Sequence, residues 1–372
     1  MIPEYARALL HEVKAVGETG NSPGVGSVYI GGGTPSLLAP GRAATILETV
    51  RRCFRLAADA EITLEANPGT ADRGRLEGFR EAGINRLSLG VQSAEEGELR
   101  MLGRIHTFAG AERTCADARR AGFSNINLDL IFGLPGQTAA VWRRTLDRAL
   151  ELAPQHFSLY CLTLERGTDL ARAVRRGALA APDDDVAAEM YELAEEKLAA
   201  AGYRHYEISN WAGDSAGASA GSRGGGVFPA YACRHNLLYW LNFPYLGFGA
   251  GAHGCAAGKR YANIRSIEKY IERMRGGRIR RFPLSPAAAR STIRTREEEM
   301  RETMWLGLRL TETGVDRADF QRRFGEDYGD RFRKEIESAV QSGLLEWMGP
   351  NGSVRLTRRG RLLGNRAFQL FV

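Results

Sequence analysis

The sequence predicts an α/β fold: an incomplete TIM-type (β/α) barrel followed by a C-terminal α+β module of winged-helix-like type. Three observations predict it. Short apolar strands alternate with amphipathic helices through the first half, several strands end in a polar residue, and 290–372 switches to helices followed by a hairpin.

The elements follow in order. Residues 3–16 read as a helix with Leu9, Leu10, Val13 and Val16 on one face. No strand precedes it, although repeated βα units ordinarily open on one, so the barrel is read as incomplete. The apolar run 27–30 enters a glycine turn, and 43–54 repeats Ile46, Leu47, Val50 and Phe54 at helical spacing. A second strand at 61–64 is followed by a helix carrying Leu76 and Phe79. A third at 86–90 precedes a helix with Phe108, Ala111, Cys115 and Ala118 on one stripe. A fourth at 125–132 has the helix 141–152 behind it, and a fifth spans 156–162. A long helix (185–201) leads to a strand at 203–209. Repeated βα units mean parallel strands with helical crossovers, and polar strand ends favour a barrel whose site lies at the strands' C-terminal ends.

This reading divides the chain into a barrel over 1–212, an insertion over 213–232, an extension over 233–289 and the C-terminal module over 290–372. Within the insertion, twelve of the fourteen residues 213–226 are Gly, Ala or Ser, a composition that predicts a mobile loop. The extension opens on the aromatic run 235–245 and the glycine-rich 247–254. The module reads as helices at 297–310, 316–324 and 328–343, then a hairpin of 344–348 and 354–356 across a Pro-Asn-Gly turn.

With 372 residues, 44% apolar and 26% charged, the chain can bury a substantial core and belongs among soluble globular proteins. No run approaches a membrane-spanning segment and no signal-peptide pattern opens the chain, so a cytoplasmic location is expected. The net charge of +7 raises a nucleic-acid reading, but only five of the 51 basic residues are lysines, which points to compositional bias. Arginines gather at 273, 275, 278, 280 and 281 and again at 355, 358, 359 and 361, where a solvated basic face is expected. Nucleic acid is therefore not an expected partner. Five separated cysteines (53, 115, 161, 233 and 255) form no C-x-x-C pair and no disulfide framework.

Gly31-Gly32-Gly33-Thr34-Pro35 lies between a strand and a helix, where glycines let backbone approach a small polar ligand; a tight structural turn explains the run equally well. Neither a Walker loop nor a dinucleotide fingerprint is present. Glu65, Gln92, Arg104 and Asp129 each stand at or just after a strand end, where a barrel would gather them at one mouth. Carboxylates suit ribose hydroxyls or an ammonium, and arginine suits a carboxylate. His235-Asn236-Leu237-Leu238-Tyr239-Trp240 sets an imidazole among aromatics, which fits either a haem ligand or a hydrogen-bonded core histidine. His253 and Cys233 are weaker candidates of the same kind. No catalytic residue is assigned.

Taken together, VYIGGGTPSLL (28–38), ITLEANP (62–68), RLSLGVQS (86–93), LGRIHT (102–107), NLDLIFGLPGQT (127–138), SLYCLTLERGT (158–168), HYEISNWA (205–212), CRHNLLYW (233–240), YLGFGAGAHG (245–254) and LTRRGRLLGNRAFQLF (356–371) carry a resemblance. The chain resembles the radical S-adenosylmethionine (SAM) proteins that include oxygen-independent coproporphyrinogen III oxidase and its haem-chaperone relative. The resemblance implies a radical SAM barrel, with Gly32, Gly33, Thr34, Glu65, Gln92, Arg104 and Asp129 at bound SAM. The HNxxYW element marks the chaperone branch and implies His235 as a haem ligand, with haem passed to acceptor proteins such as respiratory enzymes.

The family also carries a C-x-x-x-C-x-x-C loop whose thiolates hold a [4Fe-4S] cluster. That motif is absent here, together with the strand that leads into it. Loss of both at one point is read as a misplaced start or truncated gene, since point mutation would leave the apolar strand behind. Finding no in-frame motif upstream would refute this. The chain as it stands is expected to be catalytically inert and prone to aggregate, yet able to bind haem. Two other functions compete: a coproporphyrinogen III oxidase of porphyrin biosynthesis, against which HNxxYW speaks, and a winged-helix nucleic-acid binder with a vestigial barrel.

Overall fold

Residues 86–92 show why a sheet forms at the centre: all seven are buried, as in a parallel strand covered on both faces. The computed structural model describes residues 2–214, 227–277, 280–349 and 352–372. Its first elements are α1 (Ile2–Thr19), β1 (Gly24–Ile30), α2 (Pro40–Cys53), β2 (Arg55–Ala66), α3 (Arg73–Glu81), β3 (Arg86–Gln92), α4 (Glu96–Met101) and α5 (Phe108–Arg120). There follow β4 (Ile126–Phe132), α6 (Ala139–Glu151), β5 (His156–Cys161), α7 (Asp169–Arg175), α8 (Asp184–Ala200), β6 (Tyr203–Glu207) and β7 (Asn210–Gly213). The predicted alternation of strands and helices is present. Asp72, Thr107, Thr138, Thr168 and Asp183 each cap the helix that follows by accepting a backbone N–H, which sets where α3, α5, α6, α7 and α8 begin.

The seven strands form one open sheet in the order β1-β2-β3-β4-β5-β7-β6. Strands β2 to β5 run parallel, as helical crossovers require, whereas β7 is antiparallel to β5 and β6 antiparallel to β7. This is the expected incomplete barrel. The stretch read as one strand at 203–209 is instead the first arm of a hairpin. Buried Glu207 accepts hydrogen bonds from Ser209 N–H and the Asn210 side-chain amide and so turns the chain. Strand β1 lies at a sheet edge, with no fully buried residue.

The chain divides into two compact units. One comprises Met1–Val28, Pro40–Glu61 and Cys233–Val372, the other Tyr29–Ala39 and Ile62–Ala232, so the division falls within β1 and β2. The second unit has its core around Leu87, Leu89, Leu128, Leu130 and Phe157, roofed by Trp142 of α6, whose indole N–H donates to Met190 O of α8 at 2.9 Å.

The first unit continues with α9 (Arg234–Trp240), β8 (His253–Ala256), β9 (Lys259–Asn263), α10 (Ile267–Gly276) and β10 (Ala288–Ile293), the strands making a three-stranded antiparallel sheet. Val13 and Val16 of α1 pack with Val50 and Phe54, and Ala8 packs with Tyr270, Ile271 and Met274 of α10. Between these clusters the buried Glu12 carboxylate accepts from Gly249 N (2.8 Å), Asn263 Nδ2 (2.7 Å), Tyr270 OH (2.7 Å) and Ser285 Oγ (2.6 Å). Burial raises its pKa, and these four donors oppose the rise.

The C-terminal module holds α11 (Arg296–Gly307), α12 (Arg317–Phe324), α13 (Tyr328–Arg331) and α14 (Arg333–Gln341), then the hairpin of β11 (Leu345–Met348) and β12 (Ser353–Leu356) and two short helices, α15 (Arg358–Leu362) and α16 (Gly364–Phe368). In the Gly/Ala/Ser insertion, Gly213 closes β7, while 215–226 lie outside the described residues, as do Arg278 and the Pro-Asn of the hairpin turn. Among the described residues, no helix is long and apolar enough to cross a membrane.

Candidate functional site

Parallel strands point their C-terminal ends the same way, so residues ending β2, β3 and β4 must meet at one mouth. They do. A cavity of about 300 Å³ in the second unit is lined by Gly33, Thr34, Glu65, Gln92, Arg104 and Asp129, together with Tyr29, Asn67, Ser88 and Tyr160. Six of the seven residues expected at SAM thus surround one space. Gly32 is not a lining residue; its backbone N–H donates to Glu65 Oε2 at 3.0 Å, and Tyr29 OH donates to Glu65 Oε1 at 3.0 Å. The glycine turn is shaped by that carboxylate. A Cβ at Gly31 would stand 2.8 Å from the Tyr29 ring and 3.0 Å from the Glu65 carboxyl group. Gly32 and Gly33 take φ of +88° and +62°, which glycine adopts without strain.

The other wall is held by exchanged polar contacts. Gln92, a buried non-glycine residue, sits at φ +70° beside a register break in the β3–β4 ladder. Such a backbone costs about 1–2 kcal/mol and aims the side chain out of the strand's regular alternation. Gly90 leaves room for it, since a Cβ there would lie 2.8 Å from Gln92 Nε2. Arg104, half-buried, donates to Asn67 Oδ1 at 3.2 Å.

Asp129 forms the floor. Its Oδ1 accepts from Asn127 Nδ2 at 2.8 Å and its Oδ2 from Ser88 Oγ at 3.0 Å. Burial pushes its pKa up to about 6, opposed by the Ser88 and Asn127 hydrogen bonds and the Arg86 charge and reinforced by Glu65. Behind it, Asn127 Oδ1 accepts from Ser158 Oγ at 3.1 Å and lies 2.6 Å from His156 Nδ1, while His156 Nε2 lies 2.8 Å from Tyr206 OH. Ser88, Asn127, His156, Ser158 and Tyr206 are all buried, and burial with the nearby Arg86 charge keeps His156 well below its usual range.

His235 belongs to the first unit, near the start of α9. Glu61 fixes that start by accepting from Arg234 N and His235 N, each at 3.1 Å. The half-buried imidazole lies with Nδ1 2.9 Å from Ser27 Oγ and Nε2 3.1 Å from Tyr239 OH, its ring edge-on to Tyr239. The aromatic cluster and the hydrogen-bonded histidine are therefore both present.

Comparison with known proteins places this geometry. Residues 3–149 match the model of the radical SAM superfamily, and 295–363 that of the HemN C-terminal domain. The chain is 35% identical to "Heme chaperone HemW" of Bacillus subtilis across 100% of its own length and 92% of that protein. The chain belongs to the HemW family of radical SAM proteins. Identity to the HemW of Mycobacterium tuberculosis is 37%, covering 96% of this chain and 83% of that one. In fold, it superposes on the solved coproporphyrinogen III oxidase HemN of Escherichia coli with a TM-score of 0.79 at 21% identity, covering 99% of this chain and 82% of that one.

Membership in the HemW family implies SAM, a [4Fe-4S] cluster and haem. The lining described above fits SAM: the glycine turn, two carboxylates, two amides and a guanidinium face one cavity. The cysteines do not fit a cluster. None stands in C-x-x-x-C-x-x-C spacing, Cys115, Cys233 and Cys255 are buried, and no group of three potential metal ligands exists among the described residues. Asn67, Ser88 and the Asn127–His156–Tyr206 chain are not among the residues to which the sequence points. Their signal was available: Asn127 and His156 are polar residues within otherwise apolar, doubly covered strands, where a polar group requires a buried partner.

Proposed function

We propose that this chain is a haem chaperone that holds SAM in the cavity at the strand ends, binds haem through His235 and passes it to acceptor proteins such as respiratory enzymes. The observation that carries the reading is identity of 35% and 37% along nearly the whole chain to two proteins named heme chaperones. SAM supplies a sulfonium nucleoside whose ribose hydroxyls and ammonium donate hydrogen bonds and whose carboxylate accepts them. Glu65 and Asp129 would receive such donors, Arg104 and Gln92 would suit the carboxylate, and the backbone of Gly32, Gly33 and Thr34 would form the turn at the ligand.

For His235 to ligate iron, one ring nitrogen must leave its present partner. The Tyr239 contact at 3.1 Å is the longer of the two, so Nε2 turns to iron while Ser27 Oγ keeps Nδ1 oriented. Titrating the full chain with haemin tests this. Haemin's Soret band should shift and sharpen on binding, a change lost in His235→Ala and reached with about tenfold weaker affinity in Ser27→Ala. Haem loaded on the chain should then move to an apo-haem protein added in excess. A Soret band identical in His235→Ala would overturn the ligand assignment, and retention of haem beside a competent acceptor would overturn the chaperone reading.

A further inference from the structure

We propose that His156 and Asn127 are positioning residues for SAM: a relay buried behind the cavity, from Tyr206 through His156 and Asn127, fixes the direction in which Asp129 presents its carboxylate. This rests on the reading of the cavity as the SAM site.

The direction of the relay follows from the carboxylate. An ionised Asp129 only accepts, so Asn127 must turn its amide N–H groups toward Asp129 Oδ1 and Ser88 Oγ, at 2.8 and 2.7 Å. That leaves Asn127 Oδ1 facing His156 Nδ1 at 2.6 Å, which must then carry the proton. With Nδ1 protonated and the ring neutral, Nε2 is an acceptor, and the Tyr206 hydroxyl at 2.8 Å donates to it. Ser158 donates to the same Asn127 oxygen at 3.1 Å, and Ser88, receiving from Asn127, donates onward to Asp129 Oδ2 at 3.0 Å. Asn127, His156 and Ser88 each accept on one side and donate on the other, so one tautomer and one amide orientation satisfy the whole set.

The relay draws its groups from four strands. Ser88 of β3 pairs with Asn127 of β4, which pairs with His156 of β5, and Tyr206 enters from β6. His156 and Tyr206 have no exposed surface, and neither lines the cavity, so they act on the ligand only through Asp129. Both Asp129 oxygens are held from below, which leaves their remaining lone pairs to the cavity. The charged groups that act on Asp129 are Arg86 of β3 and Glu65 of β2, and the neutral His156 adds none.

The test measures SAM affinity across pH by calorimetry and the Asp129 carboxyl titration by carbon NMR, using the full chain. His156→Gln places its amide at the Nε2 side and breaks the contact to Asn127. Affinity should fall about tenfold and the Asp129 titration should move upward by about one pH unit. His156→Asn places an amide N–H where Nδ1 was, and should stay within about threefold of wild type. Should His156→Gln fail to fold, Ser88→Ala removes the donor to Oδ2 at little cost in volume and should move both readouts the same way. SAM binding by wild type with unchanged affinity and Asp129 titration in His156→Gln and Ser88→Ala would overturn the relay and leave the cavity reading intact. No SAM binding by wild type would overturn both.

Discussion

Asp129→Asn should make the protein more stable and worse at binding SAM. The carboxyl is displaced from its ordinary 3.8 to about 6, chiefly because burial disfavours the charge. A displacement of that size corresponds to about 3 kcal/mol, which reduces to about 1–2 kcal/mol because Asp129 faces a solvent-filled cavity that screens it. Because the native state holds the proton more tightly than the unfolded chain, the group's contribution to stability is fully present below 3.8 and is lost as pH rises through about 6. At pH 8, Asp129→Asn removes the buried charge and should raise the melting temperature by about 2–4 °C. It also removes a charged acceptor for the ligand, which should weaken SAM about 10–100-fold. Wild-type affinity should fall about tenfold between pH 7 and pH 5, whereas the variant should be flat through that window. Calorimetry at several pH values, with and without SAM, reads both effects. A variant that is less stable at pH 8, or that binds SAM as wild type does, would refute the account of Asp129 as a carboxylate kept ionised against burial at the floor of the cavity.

Two further outcomes follow from the geometry. Glu12→Leu leaves four buried donors without an acceptor and should cost about 3–5 kcal/mol in denaturant unfolding, with Glu12→Gln less severe because its carbonyl still accepts; a loss under about 1 kcal/mol for the leucine variant would show that Glu12 does not hold these elements. Gly31→Ala drives a methyl against Tyr29 and Glu65 and should lower SAM affinity about tenfold with an unchanged far-ultraviolet spectrum, and equal affinity would contradict the cradle.

The sheet was legible because its strands are short apolar runs and its helices carry apolar stripes: Phe108, Ala111, Cys115 and Ala118, predicted on one stripe, are all buried on α5. The convergence of Glu65, Gln92, Arg104 and Asp129 was legible for a topological reason, since parallel strands bring their ends together whatever their composition. What stayed hidden were pairings that depend on register. Nothing local says that Asn127 faces His156, which lies 29 positions away, or that His156 reaches Tyr206, 50 positions further. Glu12 was overlooked although it falls three residues after Leu9 and four before Val16, on the apolar stripe, where an acidic residue signals a buried network. Residues 203–209 read as a single strand that in fact ends at Glu207, because the hairpin turn is made by the side chain of Glu207, with no glycine or proline to mark it.

The partners of Glu12 lie between 237 and 273 residues downstream of it. Closing a loop of that length costs about 5 kcal/mol of chain entropy before any contact forms. On a ribosome, Val13 and Val16 can meet Val50 and Phe54 early, but Glu12 and the Ala8 side of α1 must wait for residues 249–285. A protein built this way should refold slowly from denaturant, and the Glu12 face of α1 should stay open to proteases in the nascent chain until those residues arrive.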